Sequence, residues 1–427
     1  MNGFIATSAA TERPPRLLAW HHTLIFLAAL AILISRRPDA LFHAQFYAED
    51  GHVWFADAYN LGWWRALFYA QDGYFQTLPR LAAALALLVP MARAPLVTNL
   101  IALAVQAVPV NLMLSTQSSS WGSPSFRACL ALCYLALPNS TEIALGITES
   151  QWLLALIAFL LLVSDPPRSK AGRWIELLVL TLSGVTGPFC IFLLPLAIYL
   201  VRTLGGSRRR TNTIVMAVSA LLQAFSLLVL DAHVRPHDTL GANPAMFARI
   251  LGGNVFLGAV LGRTRLAIMP GPGVFLLLLS AVLAGLAIAA LCFWKSSLPM
   301  RLFLILTAML LAASMLSPSA YPPAGTTVWQ LLANACGGRY WFYPSLAFAW
   351  SLLYCVRRLS DAGKIVPGLF LGVMLFSIVL DWREPAVPPS HFNQYVESFQ
   401  AAPPGSAMVI QENPPGWTIR LVKHSSD

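Results

Sequence analysis

The stretch PGVFLLLLSAVLAGLAIAALCFW, residues 272–294, contains no charged residue and is long enough to cross the roughly 30 Å apolar core of a bilayer as one helix. Similar apolar stretches recur from Leu17 to Asp381, which is too many for a single anchor. The chain of 427 residues is 57% hydrophobic and only 11% charged, against about 25% charged in a typical soluble domain. This composition excludes a soluble enzyme, a disordered chain and a fibrous protein. It predicts an all-α fold, a polytopic transmembrane helical bundle.

The basic residues predict how this bundle is oriented. The net charge is +10, and the cations concentrate in short gaps between apolar runs, at 168–173, 202–210, 295–301 and 357–364. Cations in short loops remain cytoplasmic, so these loops and the N-terminus are expected inside, and the C-terminus outside. About eleven crossings result. They are expected near residues 17–35, 80–114, 126–138, 150–163, 174–186, 188–201, 212–231, 272–294, 301–316, 341–357 and 365–381.

Residues 80–114 allow two interpretations of this topology. Pro90 and Pro95 split the segment, so it could hold two crossings instead of one. We count one net crossing, because two would move the basic loop at 168–173 to the outside.

The longest non-spanning segment, residues 36–79, is predicted to be the first outer, periplasmic loop. Phe55, Tyr59 and Trp63 recur in it at four-residue steps, which predicts one aromatic helical face. Helices rich in Trp and Tyr suit the headgroup level of a bilayer. The loop is therefore expected to lie on the membrane surface as one or two interfacial helices. A purely structural lid is the alternative.

Glu49 and Asp50 are adjacent carboxylates in this loop, followed by Gly51. Neighbouring residues do not share a helix face, so the pair is expected at a turn or a helix N-cap. A plain N-cap that complements the helix dipole is one interpretation. The other is a general base, alone or beside a metal ligand, at the boundary between water and lipid.

A long spanning protein with Glu-Asp in its first outer loop, followed by interfacial helices, resembles the GT-C type integral-membrane glycosyltransferases. Local strings along most of the chain are also similar to those of a bacterial subgroup of such proteins. These strings are Tyr47 to Gly51, Gly73-Tyr74, Pro79-Arg80, Pro138-Asn139, Glu142, Gln151-Trp152, Gly184 to Phe189, Arg339 to Trp341 and Asn413 to Trp417.

The resemblance implies an inverting transfer of a sugar from a polyprenyl-phosphate carrier to a cell-envelope glycan or lipid, at the outer face of the bacterial cytoplasmic membrane. It implies that the catalytic acid is Glu49 or Asp50, with Asp50 favoured as the base that deprotonates an acceptor hydroxyl. Relatives with single-sugar carriers often need no metal, whereas those with oligosaccharide pyrophosphates need a divalent cation, Mg or Mn. The sequence leaves both open, and it contains no His/Cys/Asp cluster with metal-ligand spacing.

A phosphate carrier requires cations near the outer interface, where Arg can bind phosphate through two hydrogen bonds. Arg339, followed by Tyr340 ahead of a spanning run, is the first candidate, and Arg80 is the second. His233 and Arg235 form a third, weaker pair. Interface anchoring is the structural alternative for the first two, and a solvated loop for the last pair.

A short outer turn supplies three further candidates for substrate binding, Glu142, Gln151 and Trp152. A carboxylate this close to the bilayer is unfavourable unless it faces a cavity, which suggests that Glu142 contacts the acceptor. Helix capping is the alternative for this residue.

The sequence predicts one transmembrane domain over residues 1–381 and a short periplasmic tail, residues 382–427, packed against the first loop. A transporter or flippase of lipid-linked sugars is the alternative function. It would predict ionisable groups at mid-span and inverted repeats, of which the sequence gives few signs. An enzyme similar to O-antigen polymerases or ligases would place its large loop later in the chain. Nucleic acid is not an expected partner, because no basic surface with interleaved aromatic residues is present.

Overall fold

The chain folds into a bundle of helices, with 73% of the residues that the structure describes in helix and 5% in strand. The computed structural model describes residues 19–230, 239–266, 274–320, 322–334 and 337–424. Six helical segments in these ranges are long and apolar enough to cross a membrane: Met91–Leu114, Ser207–Leu230, Pro244–Gly262, Val274–Lys295, Leu298–Leu316 and Asp361–Leu380. The chain is therefore a multi-pass membrane protein, as its composition predicts.

Each apolar run predicted from the sequence contains one long helix. These helices are Ala19–Arg36, Ala94–Leu114, Pro124–Leu135, Ser150–Val163, Lys170–Gly184, Phe189–Leu204, Ser207–Phe225, Val274–Lys295, Leu298–Leu316, Gly338–Arg358 and Asp361–Leu380. Several are shorter than a bilayer core is thick, so the number of crossings stays a prediction. Ser150–Val163, for example, has 14 residues, which corresponds to about 21 Å.

This short helix lies at the centre of the bundle, beside Gly338–Arg358. Every residue from Ser150 to Leu162 is buried, and so are most residues of the second helix. The Tyr343 hydroxyl joins the two helices by donating to the carbonyl of Trp152 at 2.9 Å. Because other helices surround it, the short helix contacts protein instead of lipid and need not match the bilayer thickness.

The segment 80–114 is divided between two helices. Thr77–Ala86 has ten residues, about 15 Å, which is too short to cross a bilayer alone. After a turn at Pro90, Ala94–Leu114 has 21 residues and is long enough.

The longer of these helices runs antiparallel to the first helix of the chain. At one end of the pair His22 Nδ1 lies 3.0 Å from Asn111 Oδ1. At the other end Asn99 Nδ2 donates to the carbonyl of Ala40 at 3.0 Å. This geometry fits one net crossing after the first loop.

The two ends of the bundle differ in charge. At the end called here the basic end, Arg208 Nε donates to Glu176 at 2.8 Å, and its terminal nitrogens donate to the carbonyls of Ser164 and Leu161 at 2.7 Å. The loops rich in Lys and Arg lie at this end. The opposite end, called the site end, holds the first loop (residues 36–79) and the C-terminal tail (residues 382–424).

The connecting segments contain short helices and single turns of helix. They are Asp39–Phe42, Asp50–Phe55, Ala56–Leu61, Trp63–Ala66, Thr77–Ala86, Met91–Arg93, Thr116–Trp121, Thr141–Ala144, Ser226–Leu230, Pro244–Ala248, Arg249–Leu257, Gly258–Leu266, Val328–Asn334 and Phe392–Ala401. Residues 244–262 belong to a connection that the predicted topology places outside. Asn254, in the middle of this segment, contacts the site end. Its carbonyl accepts from Asn139 Nδ2 at 3.1 Å, and its Nδ2 donates to the carbonyl of Leu332 at 3.1 Å.

The aromatic residues of the first loop do not form one membrane-facing stripe, so that expectation is wrong. Gly62, with a φ of 86°, ends the helix ahead of Trp63. Phe55 is buried, and the ring of Tyr59 lies 5.9 Å from that of Phe399 in the tail. Phe55 and Tyr59 do lie on one helical face, but that face packs against the tail.

A different set of aromatic residues in the same loop is exposed. Trp63, Trp64, Phe68 and Tyr69 are exposed by 51%, 58%, 58% and 53%. Such a group suits the headgroup level of a bilayer, so the interfacial position of the loop stays a prediction that now rests on these side chains.

The tail adds strands to a fold that was expected to be all-α. Ala407–Glu412 and Trp417–Val422 form an antiparallel hairpin, in register from Ala407 opposite Val422 to Glu412 opposite Trp417. Its buried side chains, including Ile410 and Ile419, share a core with Phe46 of the first loop. The tail therefore packs against the first loop, as expected from the sequence.

Candidate functional site

A cavity of about 1340 Å³ lies at the site end of the bundle. Its lining comes from the first loop, the turn at 139–149, the helix at 249–254, the start of the helix Gly338–Arg358 and the tail. Glu49 and Asp50 are both in this lining, together with Glu142, Arg339 and Tyr340. The structure thus brings five of the sequence-predicted residues together.

Asp50 is fully buried and holds the first loop against the turn that precedes the central helix. Its Oδ2 accepts a hydrogen bond from the backbone N–H of Ile147 at 3.0 Å. Its Oδ1 accepts from the N–H of Thr148 at 3.0 Å and from the Thr148 hydroxyl at 2.7 Å. Burial raises the pKa of this carboxyl to about 7, against the opposing effect of these three hydrogen bonds. Asp50 is therefore a fixed group with its oxygens already engaged.

Glu49 differs from its neighbour because its carboxylate faces the cavity. Among the described residues, no other residue donates a hydrogen bond to it. Burial raises its pKa above the ordinary value, the nearby Arg339 guanidinium opposes that shift, and the carboxylates of Asp72 and Glu142 add to it. Glu49 is thus the accessible carboxylate of the pair, with a pKa moved towards neutrality.

Arg339 is held by protein groups on several sides. Its Nη1 donates to Glu142 Oε1 at 2.7 Å, and its backbone N–H lies 3.2 Å from Glu142 Oε2. Nη2 donates to the carbonyl of Ser319 at 2.9 Å, which also accepts from the Tyr340 hydroxyl at 3.0 Å. Arg339 lines the cavity, but its charge is largely compensated by Glu142, and its predicted contact with the donor phosphate stays a prediction.

Glu149 is a further carboxylate of the cavity, 7% exposed. Its Oε1 lies 3.6 Å from Arg339 Nη1, which is an ion-pair distance but a poor hydrogen bond. Its Oε2 has no hydrogen-bond partner among the described residues. Burial raises the pKa of Glu149 to about 8; Arg339 opposes this shift, and the neighbouring carboxylates of Glu142, Glu49 and Asp50 add to it.

Three other predicted residues lie away from this lining. Arg80 is buried, pairs with Asp57 at 3.1 Å and stacks over the ring of Trp54 with its guanidinium carbon 5.0 Å from the centroid. Gln151 and Trp152 are buried in the central helix. None of the three side chains lines the cavity, and their assignment to substrate binding stays a prediction. His233 and Arg235 lie outside the described residues.

Two groups that the sequence did not single out for this site also line the cavity. Arg249 is exposed, and its Nη1 donates to the neutral side chain of Asn334 at 3.1 Å. Trp417 of the tail lines the opposite wall, with its ring 5.4 Å from that of His52. Arg249 could have been found as one of the few cations in the connections expected outside.

The tail is joined to the first loop directly beside Glu49. The N–H of Ala48 donates to the carbonyl of Asn413 at 2.5 Å. The neighbouring Glu412 is 4% exposed, and neither of its oxygens has a well-formed hydrogen bond to a described residue. Burial and the nearby Asp50 raise the pKa of Glu412 to about 9, which the backbone N–H groups of Gly51 and His52 offset in part. The tail is thus part of the cavity wall.

Among the described residues, no group of three or more His, Cys, Asp and Glu side chains has the arrangement of a metal site. A scan against known protein families finds no match, and a comparison with curated proteins finds none either. Fold and site together define a multi-pass membrane protein with an acidic cavity at the end opposite its basic loops.

Proposed function

We propose that the protein is an inverting glycosyltransferase that moves a sugar from a polyprenyl-phosphate carrier to a cell-envelope glycan or lipid on the periplasmic side of a bacterial cytoplasmic membrane. The observation that carries this proposal is the accessible carboxylate of Glu49 in a cavity of about 1340 Å³ at the site end. The resemblance to GT-C glycosyltransferases supplies the reaction class.

Glu49 is the proposed general base. A base must reach the hydroxyl proton. Glu49 lines the cavity and accepts no hydrogen bond from another described residue, whereas both carboxylate oxygens of Asp50 are already engaged. The acceptor oxygen attacks the anomeric carbon as its proton passes to Glu49. The bond from that carbon to the phosphate oxygen breaks, and polyprenyl phosphate leaves with the electron pair. Asp50 has the different role of positioning its neighbour by binding Ile147 and Thr148.

Arg249 is the proposed partner of the donor phosphate. It has no carboxylate partner among the described residues, whereas Arg339 is bound by Glu142. Val274 and Leu278 line the cavity on the same side and offer an apolar surface to the first isoprene units. Arg339 would then orient Glu142 and moderate the charge of the site.

The charge asymmetry of the bundle supports the proposed orientation. Basic loops that stay cytoplasmic would leave the site end outside, where lipid-linked sugars are used. A transporter of lipid-linked sugars remains the alternative. Transporters bind their substrates near the middle of the bilayer, often between inverted repeats. The sequence gives few signs of such repeats, which favours the enzyme.

The test uses purified protein in lipid nanodiscs with synthetic polyprenyl-phosphate hexoses and pentoses and an envelope extract as acceptor. Mass spectrometry follows the release of polyprenyl phosphate. We expect release by the wild-type protein, a loss of about 100- to 10,000-fold in Glu49→Gln, and full activity in Glu397→Gln, a matched change at an exposed glutamate of the tail. No release with any donor, or equal release by both variants, would contradict the proposal.

A further inference from the structure

We propose that Glu149 binds an ammonium group, and that the molecule accepted by this cavity therefore carries an amine. The proposal rests on the proposed function only where it calls this molecule the acceptor of the sugar. Binding itself can be tested without transfer.

The first observation is the balance of charge in the cavity. Among the described residues, six carboxyl groups and two guanidinium groups line it. The carboxyl groups are Glu49, Asp50, Asp57, Asp72, Glu142 and Glu149, and the guanidinium groups are Arg249 and Arg339. Carboxyl groups therefore outnumber guanidinium groups, and each carboxyl group that ionises on binding favours a ligand that brings positive charge.

The second observation is the incomplete pairing of Glu149. This side chain is more than nine-tenths buried and lines the cavity, yet its Oε2 has no partner among the described residues. Arg339 cannot turn fully towards it, because its Nη1 is 2.7 Å from Glu142 and its Nη2 is bound to Ser319. A buried polar atom without a partner is unfavourable. The ionised carboxylate formed on binding would accept a hydrogen bond from a ligand N–H group and so remove that penalty.

An ammonium group fits this position better than a neutral hydroxyl. The groups that act on Glu149 are Arg339 and the carboxyls of Glu142, Glu49 and Asp50, so carboxylates outnumber cations around it. A cation placed there interacts favourably with each of these carboxyl groups when it is ionised, whereas a neutral hydroxyl donates to one oxygen only. Glu49 lines the same cavity, and we assign it to the reacting hydroxyl of the molecule whose amine binds Glu149.

The binding step has a proton signature. Burial and neighbouring carboxylates raise the pKa of Glu149 to about 8, so at neutral pH this carboxyl is mostly protonated before the ligand binds. An ammonium group stabilises the ionised form, and up to one proton is released per ligand bound. A neutral ligand at the same place would release none.

The experiment compares three probes that differ only at one ring position: the methyl glycosides of glucosamine, N-acetylglucosamine and glucose. Their affinities for the full-length protein in nanodiscs are measured at neutral pH by calorimetry in two buffers with different ionisation enthalpies. We expect the glucosamine probe to bind about tenfold more tightly than the two neutral probes and to release protons. Equal affinities, or binding without proton release, would overturn the inference.

A variant pair locates the effect. In Glu149→Gln the preference for the amine and the proton release should both disappear, whereas in Glu397→Gln both should remain. A preference for the amine that survives in Glu149→Gln would contradict the assignment. Binding of Mg²⁺ alone to the wild-type protein, lost in Glu149→Gln, would also contradict it, because the site would then hold a metal. If Glu149→Gln does not fold, the comparison of probes on the wild-type protein still decides.

The outcome is separable from that of the proposed function. Sugar transfer without any preference for an amine would overturn this inference and leave the glycosyltransferase proposal intact. Amine binding without transfer would do the reverse.

Discussion

Replacing Asp50 by Asn should loosen the contact between the first loop and the turn that leads into the central helix. The carboxylate accepts from the N–H of Ile147, the N–H of Thr148 and the Thr148 hydroxyl, at 3.0, 3.0 and 2.7 Å. The amide of Asn keeps one acceptor oxygen and puts an NH₂ group where the other oxygen was. At least one buried donor then faces another donor. Its cost is about 1–3 kcal/mol.

Hydrogen exchange followed by mass spectrometry measures this cost locally. A loss of about 2 kcal/mol makes opening about 30-fold more frequent, so the amides of Ile147 and Thr148 should exchange about 30-fold faster in Asp50→Asn. The measurement is best made at pH 8, above the pKa of about 7 to which burial raises Asp50, where its carboxylate is ionised.

Glu49→Gln serves as the control for this experiment. Glu49 receives no hydrogen bond from another described residue, so exchange at Ile147 and Thr148 should not change in that variant. Unchanged protection in Asp50→Asn, or equal acceleration in both variants, would refute the assignment of a positioning role to Asp50.

Three further expectations concern the tail and the donor side. Glu412→Gln should flatten the decline of stability with rising pH. The pKa of Glu412 is raised to about 9 in the folded protein, so the stability linked to its protonation is present in acid and is lost as the pH rises through 9. Identical thermal unfolding curves for variant and wild type from pH 7 to 10 would contradict this. Gly51→Ala should detach the tail at a cost of about 1–3 kcal/mol, because its Cβ would lie 2.2 Å from Glu412 Oε2 and 2.5 Å from Ile419 Cδ1; limited proteolysis of the tail measures the effect, and an unchanged cleavage rate would speak against it. Arg249→Gln should raise the KM for the polyprenyl-phosphate donor about tenfold with kcat little changed; an unchanged KM would remove Arg249 from the phosphate site.

The sequence identifies the region of the site but not the roles within it. Glu49 and Asp50 are adjacent in the chain, and spacing alone cannot distinguish them. What separates them is the turn at Ile147 and Thr148, almost a hundred residues away, whose N–H groups bind only Asp50. Arg339 is a candidate for phosphate from its sequence context, but its ion pair with Glu142 depends on a contact between distant segments.

Local patterns in the sequence predict the type of an element but not the segment that packs against it. The four-residue spacing of Phe55 and Tyr59 does mark a helical face, yet the tail covers that face and lipid does not. The strand Ala407–Glu412 has alternating buried and exposed residues, a pattern typical of a half-buried strand. The long apolar runs of the chain favour an all-α prediction, and this short alternating pattern does not outweigh them. Long apolar runs, in contrast, depend on composition alone, and each of them contains a helix.

The central claim is that Glu49, and not Asp50, removes the proton from the acceptor. The most direct measurement is the rate of sugar transfer by Glu49→Gln and Asp50→Asn, each divided by the fraction of folded protein. For Glu49→Gln we predict normal folding and a loss of about 100- to 10,000-fold. For Asp50→Asn we predict a rate that falls only in proportion to the fraction of molecules in which the first loop remains in contact with the turn at Ile147 and Thr148. A folded Asp50→Asn protein without activity, beside an active Glu49→Gln protein, would contradict the account.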